Sequence, residues 1–506
     1  MRSLYIWHID DTIQTMFKLK AFFSRIMSIE PIRRQSIVSL IWQIAFTFIG
    51  FLSTMYFARA VGAEVLGAYF LFVAYFKIIS LMTDGGFGGA AVKRISEGEE
   101  PDAYFSAFVV LRSLFVTVII TALIAFRSYF VDLDSAGTFT WLLLALVVSL
   151  LHGAVSSGIA GCGKMGINAT AGFINNVSRI FVQIITVFLG YSVAGLAGGF
   201  VLGMFVGSLI QLRFFDLRFV CFGWRHLKSL SSFSFWSFLI SGGSLVFMYS
   251  DSVMIGYFLN NADVGVYRII FQFTALAAFV TTALRGTLWP RVSRWDKIGE
   301  TELIEKSLSR AFTYSLILAV PLFVGGALLG DRLLYFFYGA DFVSYTTLII
   351  LFIVQIVNIF QYFFTTYLSA MNQLKELFKI TVVAVVANIA LNAALIPMLG
   401  IPGASIATLA TMTLNAILAR RVLARRITLR VEHSSLMNIL KVSIAMGMVV
   451  GMYRLVVPLS SIWLALVPVV FGGVVYGVLI LKFDRKIYEE LKGIMMQMNL
   501  AWPEWL

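Results

Sequence analysis

Phe188-Leu-Gly-Tyr-Ser-Val-Ala-Gly-Leu-Ala197 and Met398-Leu-Gly-Ile-Pro-Gly-Ala-Ser-Ile-Ala407 read almost alike, and each is a glycine-marked turn between two long apolar runs. At 1.5 Å per residue, about 20 apolar residues cross the roughly 30 Å hydrocarbon layer of a bilayer, so each stretch joins two membrane helices. The two copies lie 210 residues apart. A second pair, Leu66-Gly-Ala-Tyr69 and Val264-Gly-Val-Tyr267, repeats at 198 residues. Two echoes at nearly equal offset imply two related units, and an even number of helices per unit makes the repeats parallel.

Working outward, the composition agrees with a lipid environment. Of 506 residues 59% are apolar and 13% charged, against roughly 25% charged in a soluble domain. Fourteen segments are long enough to span: 36–58, 65–83, 103–126, 139–160, 167–189, 192–212, 235–259, 264–289, 311–330, 345–369, 377–396, 403–420, 439–457 and 461–481. The expected fold is therefore an all-α polytopic membrane protein with about 14 transmembrane helices. Its segments are a lead-in 1–35 containing an interfacial helix over Thr15–Ile29, a six-helix unit 36–212, a linker 213–234, a second six-helix unit 235–420, a basic linker 421–438, two further helices in 439–481 and a tail 482–506.

The net charge of +13 is not a nucleic-acid stripe, because its basic residues fall in short clusters between apolar runs. Basic residues prefer cytoplasmic loops. With a cytoplasmic N-terminus, thirty Lys and Arg fall on the cytoplasmic side and only Arg59, Arg127, Arg332 and Arg454 on the other. Both termini are thus expected in the cytoplasm, with the chain in the cytoplasmic membrane. Cys162 and Cys221 form no CxxC, and His8, His152, His226 and His433 are scattered, so no metal or cofactor is expected.

Five basic residues remain inside the spans: Lys77, Arg112, Arg179, Arg268 and Arg285. Each costs roughly 2.5–3.5 kcal/mol on insertion scales, which makes all five candidates for binding an anionic substrate. Asp251 is the acidic residue set well inside a span, with three readings: an ion pair with Arg268, a site coupling transport to sodium or protons, or a simple water-exposed position. Asp84 precedes the glycine-rich run Gly85–Ala90, which lacks the GKS or GxGxxG pattern of a phosphate loop and reads as a packed helix end. With Asp251 paired, the first unit would hold three uncompensated cations. Gln355, Asn358, Gln361, Asn372, Asn388, Asn392 and Asn415 can bind sugar hydroxyls or cross-link helices. Gly195, Gly199, Gly203 and Gly207 form a four-residue ridge for close helix packing.

Asp251-Ser-Val-Met-Ile-Gly-Tyr257, Val264-Gly-Val-Tyr267, Trp289-Pro-Arg-Val-Ser293, Leu391-Asn-Ala-Ala-Leu-Ile-Pro397 and Gly400-Ile-Pro-Gly-Ala-Ser-Ile-Ala-Thr408 follow one another in a recognisable order. Over residues 34–482 the chain resembles the polysaccharide flippase family, the Wzx-like exporters of lipid-linked oligosaccharides. That family lies within the superfamily of MATE drug exporters and the lipid II flippase MurJ. The resemblance implies a V-shaped pair of six-helix lobes and alternating access. It also implies a polyprenyl-pyrophosphate-linked glycan as substrate, and a glycan polymerase or envelope-assembly proteins as partners. The alternatives from other classes are a lipid II or related lipid flippase, a MATE-like small-molecule exporter, a membrane glycan polymerase or ligase, and a non-transporting scaffold. External loops of about a dozen residues near 127–138 and 331–344 offer no acid/base set, and no nucleotide-binding motif is present, so the expected protein is a transporter and not an enzyme.

Overall fold

The computed structural model describes residues 31–429, 432–489 and 492, with side chains from residue 47 onward except 233, 235–237 and 239–241. The interfacial helix expected over Thr15–Ile29 and most of the tail lie outside the described residues. The rest is helical: α1 (Pro31–Asp84), α2 (Phe87–Ser96), α3 (Pro101–Ala125), α4 (Val131–Ser135), α5 (Phe139–Gly161), α6 (Met165–Phe188), α7 (Val193–Leu212) and α8 (Trp224–Phe258). The second half continues with α9 (Asn261–Thr274), α10 (Phe279–Ile298), α11 (Thr301–Tyr338), α12 (Tyr345–Ala370), α13 (Leu374–Leu399), α14 (Ile401–Leu423), α15 (His433–Val456) and α16 (Ile462–Phe483).

Among the described residues twelve helices are long and apolar enough to cross a membrane, so the chain is a multi-pass membrane protein. The expected spans 36–58 and 65–83 lie together in α1, which breaks at Gly62 with φ 76°. The expected span 235–259 falls in α8, where part of the side chains lie outside the described set, and is not one of the twelve. The short helix α2 and the helical extensions at the starts of α8 and α11 were not anticipated.

Both glycine echoes recur as backbone geometry. Gly190 and Gly400, in register within the first echo, both hold positive φ, 87° and 66°, which a side chain strongly disfavours. The second echo does more, because its copies touch. A Cβ on Gly67 would fall 1.7 Å from the carbonyl oxygen of Asn261, and one on Gly265 would fall 2.3 Å from that of Ala63. Glycine at both positions is what lets α1 and α9 meet backbone to backbone.

The glycine ridge of α7 packs on α6 along its whole length. A Cβ would strike Thr186 from Gly195, Gln183 from Gly199, the Cβ of Arg179 from Gly203 and that of Asn175 from Gly207. Close packing is thus the ridge's role, and it fixes where Arg179 leaves its helix. Around this seam α5 packs on α7, and α1 on α6; in the second half α14 packs on both α12 and α13. Helix α8 touches α1, α2 and α3 as well as α13, and so runs against both halves.

The strand of chain between α7 and α8 is stitched to the end of the bundle that carries most of the basic residues. Asp102 accepts from Arg218 N at 2.9 Å, Ser106 Oγ accepts from Val220 N at 2.9 Å, and Lys164 pairs with Asp216. Glu100 binds both Arg225 and His226, the latter at 2.7 Å. At the opposite end Arg127 donates to Asp134 at 2.6 Å, and Arg454 forms a two-pronged pair with Asp331 at 3.0 and 2.9 Å. Arg59, from α1, donates to the carbonyls of Tyr335, Phe336 and Phe337 at the C-terminal end of α11.

Candidate functional site

The three cations of the first half come from three helices and converge. Lys77 (α1) lies within electrostatic reach of Arg179 (α6), and His152 (α5) lies within reach of both Lys77 and Arg112 (α3). His152 is held by a 3.1 Å hydrogen bond between its Nδ1 and Ser208 Oγ on α7. The three cations are not equivalent, however. Arg112 is 6% exposed, forms an ion pair with Asp84 and donates to the carbonyl of Ser149 at 3.1 Å. Its guanidinium lies flat over Gly153, where a Cβ would fall 2.3 Å from Cζ. Asp84 also accepts from Gly88 N at 3.2 Å, capping α2.

Three uncompensated cations were expected here, and the pairing of Arg112 with Asp84 leaves two. Arg112 and Asp84 sit 28 residues apart, on helices that only the fold brings together. Lys77 and Arg179 are half-buried and meet no carboxylate among the described residues, and the Nε of Arg179 is buried with no hydrogen-bond partner. Two facing cations without a counter-charge repel each other, and burial raises the cost. An anion bridging them would relieve both terms at once.

The second half presents the opposite charge. Asp251, on α8, is 5% exposed. Its Oδ2 accepts from Tyr267 at 2.8 Å and from Thr408 at 2.7 Å, and its Oδ1 from Asn392 at 2.7 Å and Asn388 at 3.3 Å. Ser250 donates to Asn388 at 2.6 Å, completing a buried polar knot across α8, α9, α13 and α14. Asn392 Oδ1 is buried without a donor. The ion pair expected between Asp251 and Arg268 does not form, because four neutral donors fill the carboxylate and Arg268 points elsewhere. Arg268 stacks over the rings of Tyr249 and Phe271, at 5.4 and 5.7 Å. Arg285, on α10, stacks over Tyr362 at 4.8 Å and is exposed.

Against known proteins, residues 32–296 match the family model described as polysaccharide biosynthesis protein. The chain is 27% identical to a probable low-salt glycan biosynthesis flippase, Agl15, of Haloferax volcanii, over 89% of this chain and 96% of that one. It is 25% identical to the probable flippase AglR of the same organism, with the same shares covered. Among solved structures, the lipid II flippase MurJ in an inward closed conformation superposes with a TM-score of 0.76 at 17% identity, covering 89% of this chain and all of that one. An inward-facing MATE family multidrug transporter superposes at 0.62 with 16% identity, over 77% and 97%. The class set by the fold is thus the helical membrane bundle that the MurJ and MATE structures share, and the two relatives of similar sequence are both named as probable flippases. Within that class the chain belongs to the polysaccharide biosynthesis protein family.

Proposed function

We propose that the protein carries a polyprenyl-pyrophosphate-linked oligosaccharide from the cytoplasmic to the outer leaflet by alternating access. The observation that carries this reading is that Lys77 and Arg179 lie within electrostatic reach of each other with no carboxylate partner among the described residues, inside a chain of the polysaccharide biosynthesis family. A pyrophosphate matches it in charge, and arginine and lysine both donate to phosphate oxygens. An apolar crevice of about 330 Å³ beside α15 and α16, lined by Pro321, Phe352, Val450, Pro468 and Tyr476 among others, has the chemistry of a polyprenyl tail. The relatives named as probable flippases, one of them in glycan biosynthesis, support a lipid-linked glycan as the cargo.

In this reading α1 crosses twice, about its break at Gly62, and α8 crosses once, giving fourteen crossings arranged as two six-helix lobes and a terminal pair. The basic end is cytoplasmic. Asp251 is the coupling residue: a carboxylate with Asn388, Asn392 and Thr408 presents hard oxygen ligands, and Asn392 Oδ1 already lacks a donor. Sodium fits that oxygen set, and a proton is the alternative carrier that the gradient test below separates. Lipid-linked glycan made at the cytoplasmic face would be delivered to a polymerase or other envelope-assembly proteins outside.

The test is leaflet exchange in vesicles containing the purified protein and a defined lipid-linked glycan. Wild-type protein should expose the glycan on the opposite leaflet, and Lys77→Gln or Arg179→Gln should slow exposure at least tenfold. Exchange at the wild-type rate in both variants overturns the cationic site. Glycan transfer or polymerisation without leaflet exchange overturns the flippase reading itself.

A further inference from the structure

The exposed face of α10 sets polar groups among apolar ones in a helix that belongs to a candidate membrane span. Thr282, Arg285, Gly286 and Trp289 are all exposed and, at spacings of three and four, share one side of the helix. Lipid would be a costly solvent for that face, so it borders water. Pro290 continues the same helix and has no N–H, which leaves the carbonyl of Gly286, four residues earlier, without its helical donor. Beyond its chain neighbours and its own helix backbone, nothing lies within 4 Å of where a Cβ of Gly286 would stand. The result is an open notch beside a carbonyl that lacks its usual helical donor.

Helix α12 supplies the facing wall. Arg285 stacks over Tyr362, and the indole N–H of Trp289 donates to Ser369 at 3.4 Å, so the two helices meet along this line. Asn358, Gln361, Tyr362, Thr365 and Ser369 are half-buried and recur every three or four residues down that side of α12. Trp289 remains 45% exposed despite its hydrogen bond.

We infer that this notch binds a sugar ring of the lipid-linked glycan, with Trp289 as the stacking platform, the Gly286 carbonyl and Gln361 as hydroxyl partners and Arg285 as a donor held in place by Tyr362. A pyranose has an apolar C–H face and a rim of hydroxyls, and an aromatic plane flanked by amides and a free carbonyl answers both. The inference rests on the lipid-linked glycan reading above and assigns the sugar to a different place from the pyrophosphate: α10 and α12 in the second half, not Lys77 and Arg179 in the first. Arg285 is thereby separated in role from the cations it was grouped with.

The experiment measures binding, without transport, on the full chain in nanodiscs. Two short-chain polyprenyl pyrophosphates are compared, one bearing a disaccharide and one bare. Wild-type protein should bind the glycosylated form at least tenfold tighter. Trp289→Leu should bring the two within about twofold while leaving affinity for the bare form unchanged. Gly286→Ala, which fills the notch with a better helix former and meets no neighbour, should do the same with no loss of folded protein. A sugar preference that survives both substitutions, or wild-type protein that binds both forms equally or neither, overturns the inference. Failure of leaflet exchange with the sugar preference intact overturns the transport reading alone.

Discussion

The two halves of the molecule bury charge by opposite rules. In the first half Lys77 and Arg179 lie within electrostatic reach of each other with no carboxylate partner among the described residues, and in the second Asp251 is surrounded by hydroxyls and amides that fill both its oxygens. A buried charge left unpaired is expensive, whereas one that accepts several hydrogen bonds is held firmly in a single geometry. The difference teaches that helices of one bundle can be given unlike tasks. The first site lacks a counter-charge among the described residues, and the second is nearly complete by itself.

Removing a paired cation tests this comparison hardest. Arg112→Leu strands the carboxylate of Asp84, whose side chain is 26% exposed, and should destabilise the fold by about 3 kcal/mol. Asp84→Leu combined with Arg112→Leu should recover most of that loss. Arg179→Leu strands nothing and should unfold at the wild-type temperature or above. Thermal unfolding in detergent decides, and equal losses for Arg112→Leu and Arg179→Leu would erase the distinction between paired and unpaired cations.

The second half answers to a gradient. Asp251→Asn keeps the shape and most hydrogen bonds of the knot but removes its charge, so folded yield should hold while stimulation of leaflet exchange by an imposed sodium gradient falls about tenfold. A response to a proton gradient in place of sodium would change the ion and keep the residue. Unchanged dependence on both would return Asp251 to a purely structural role.

Charges that meet in water supply the smallest effect and the control. The hydrogen bond from His226, with the charge of Arg225, holds the Glu100 carboxyl below the ordinary carboxylate range. A depressed folded value means that its contribution is present above the unfolded pKa and is lost as pH falls through the folded one. The 213–223 segment should therefore become more open to proteolysis below roughly pH 4, and Glu100→Gln should flatten that dependence. An exposed pair of this kind contributes little at neutral pH.

Helix positions were legible because lipid imposes a simple rule on length and apolarity, and the glycine echoes were legible because close approach demands glycine whatever surrounds it. Partnership was not. Asp84 and Arg112, or Asp251 and Thr408, are 28 and 157 residues apart, and depth alone suggested Arg268 as the mate of Asp251. The four hydroxyl and amide donors carry no charge and so left no mark in a search for counter-ions. Asn388 and Asn392, four residues apart on α13, were visible as amides on one helix face, and that was the available signal. His152 gave none, since a lone histidine in an apolar run looks like any other buried ring.

Arg59 grips α11 through main-chain oxygens of three successive residues, and a peptide carbonyl is present whichever amino acid stands there. Selection can therefore see only one partner of this latch. Side chains at 335 and 336 are free to drift without loosening these hydrogen bonds, while Phe337 adds a tie of its own, edge-on against Phe51 of the helix that carries Arg59.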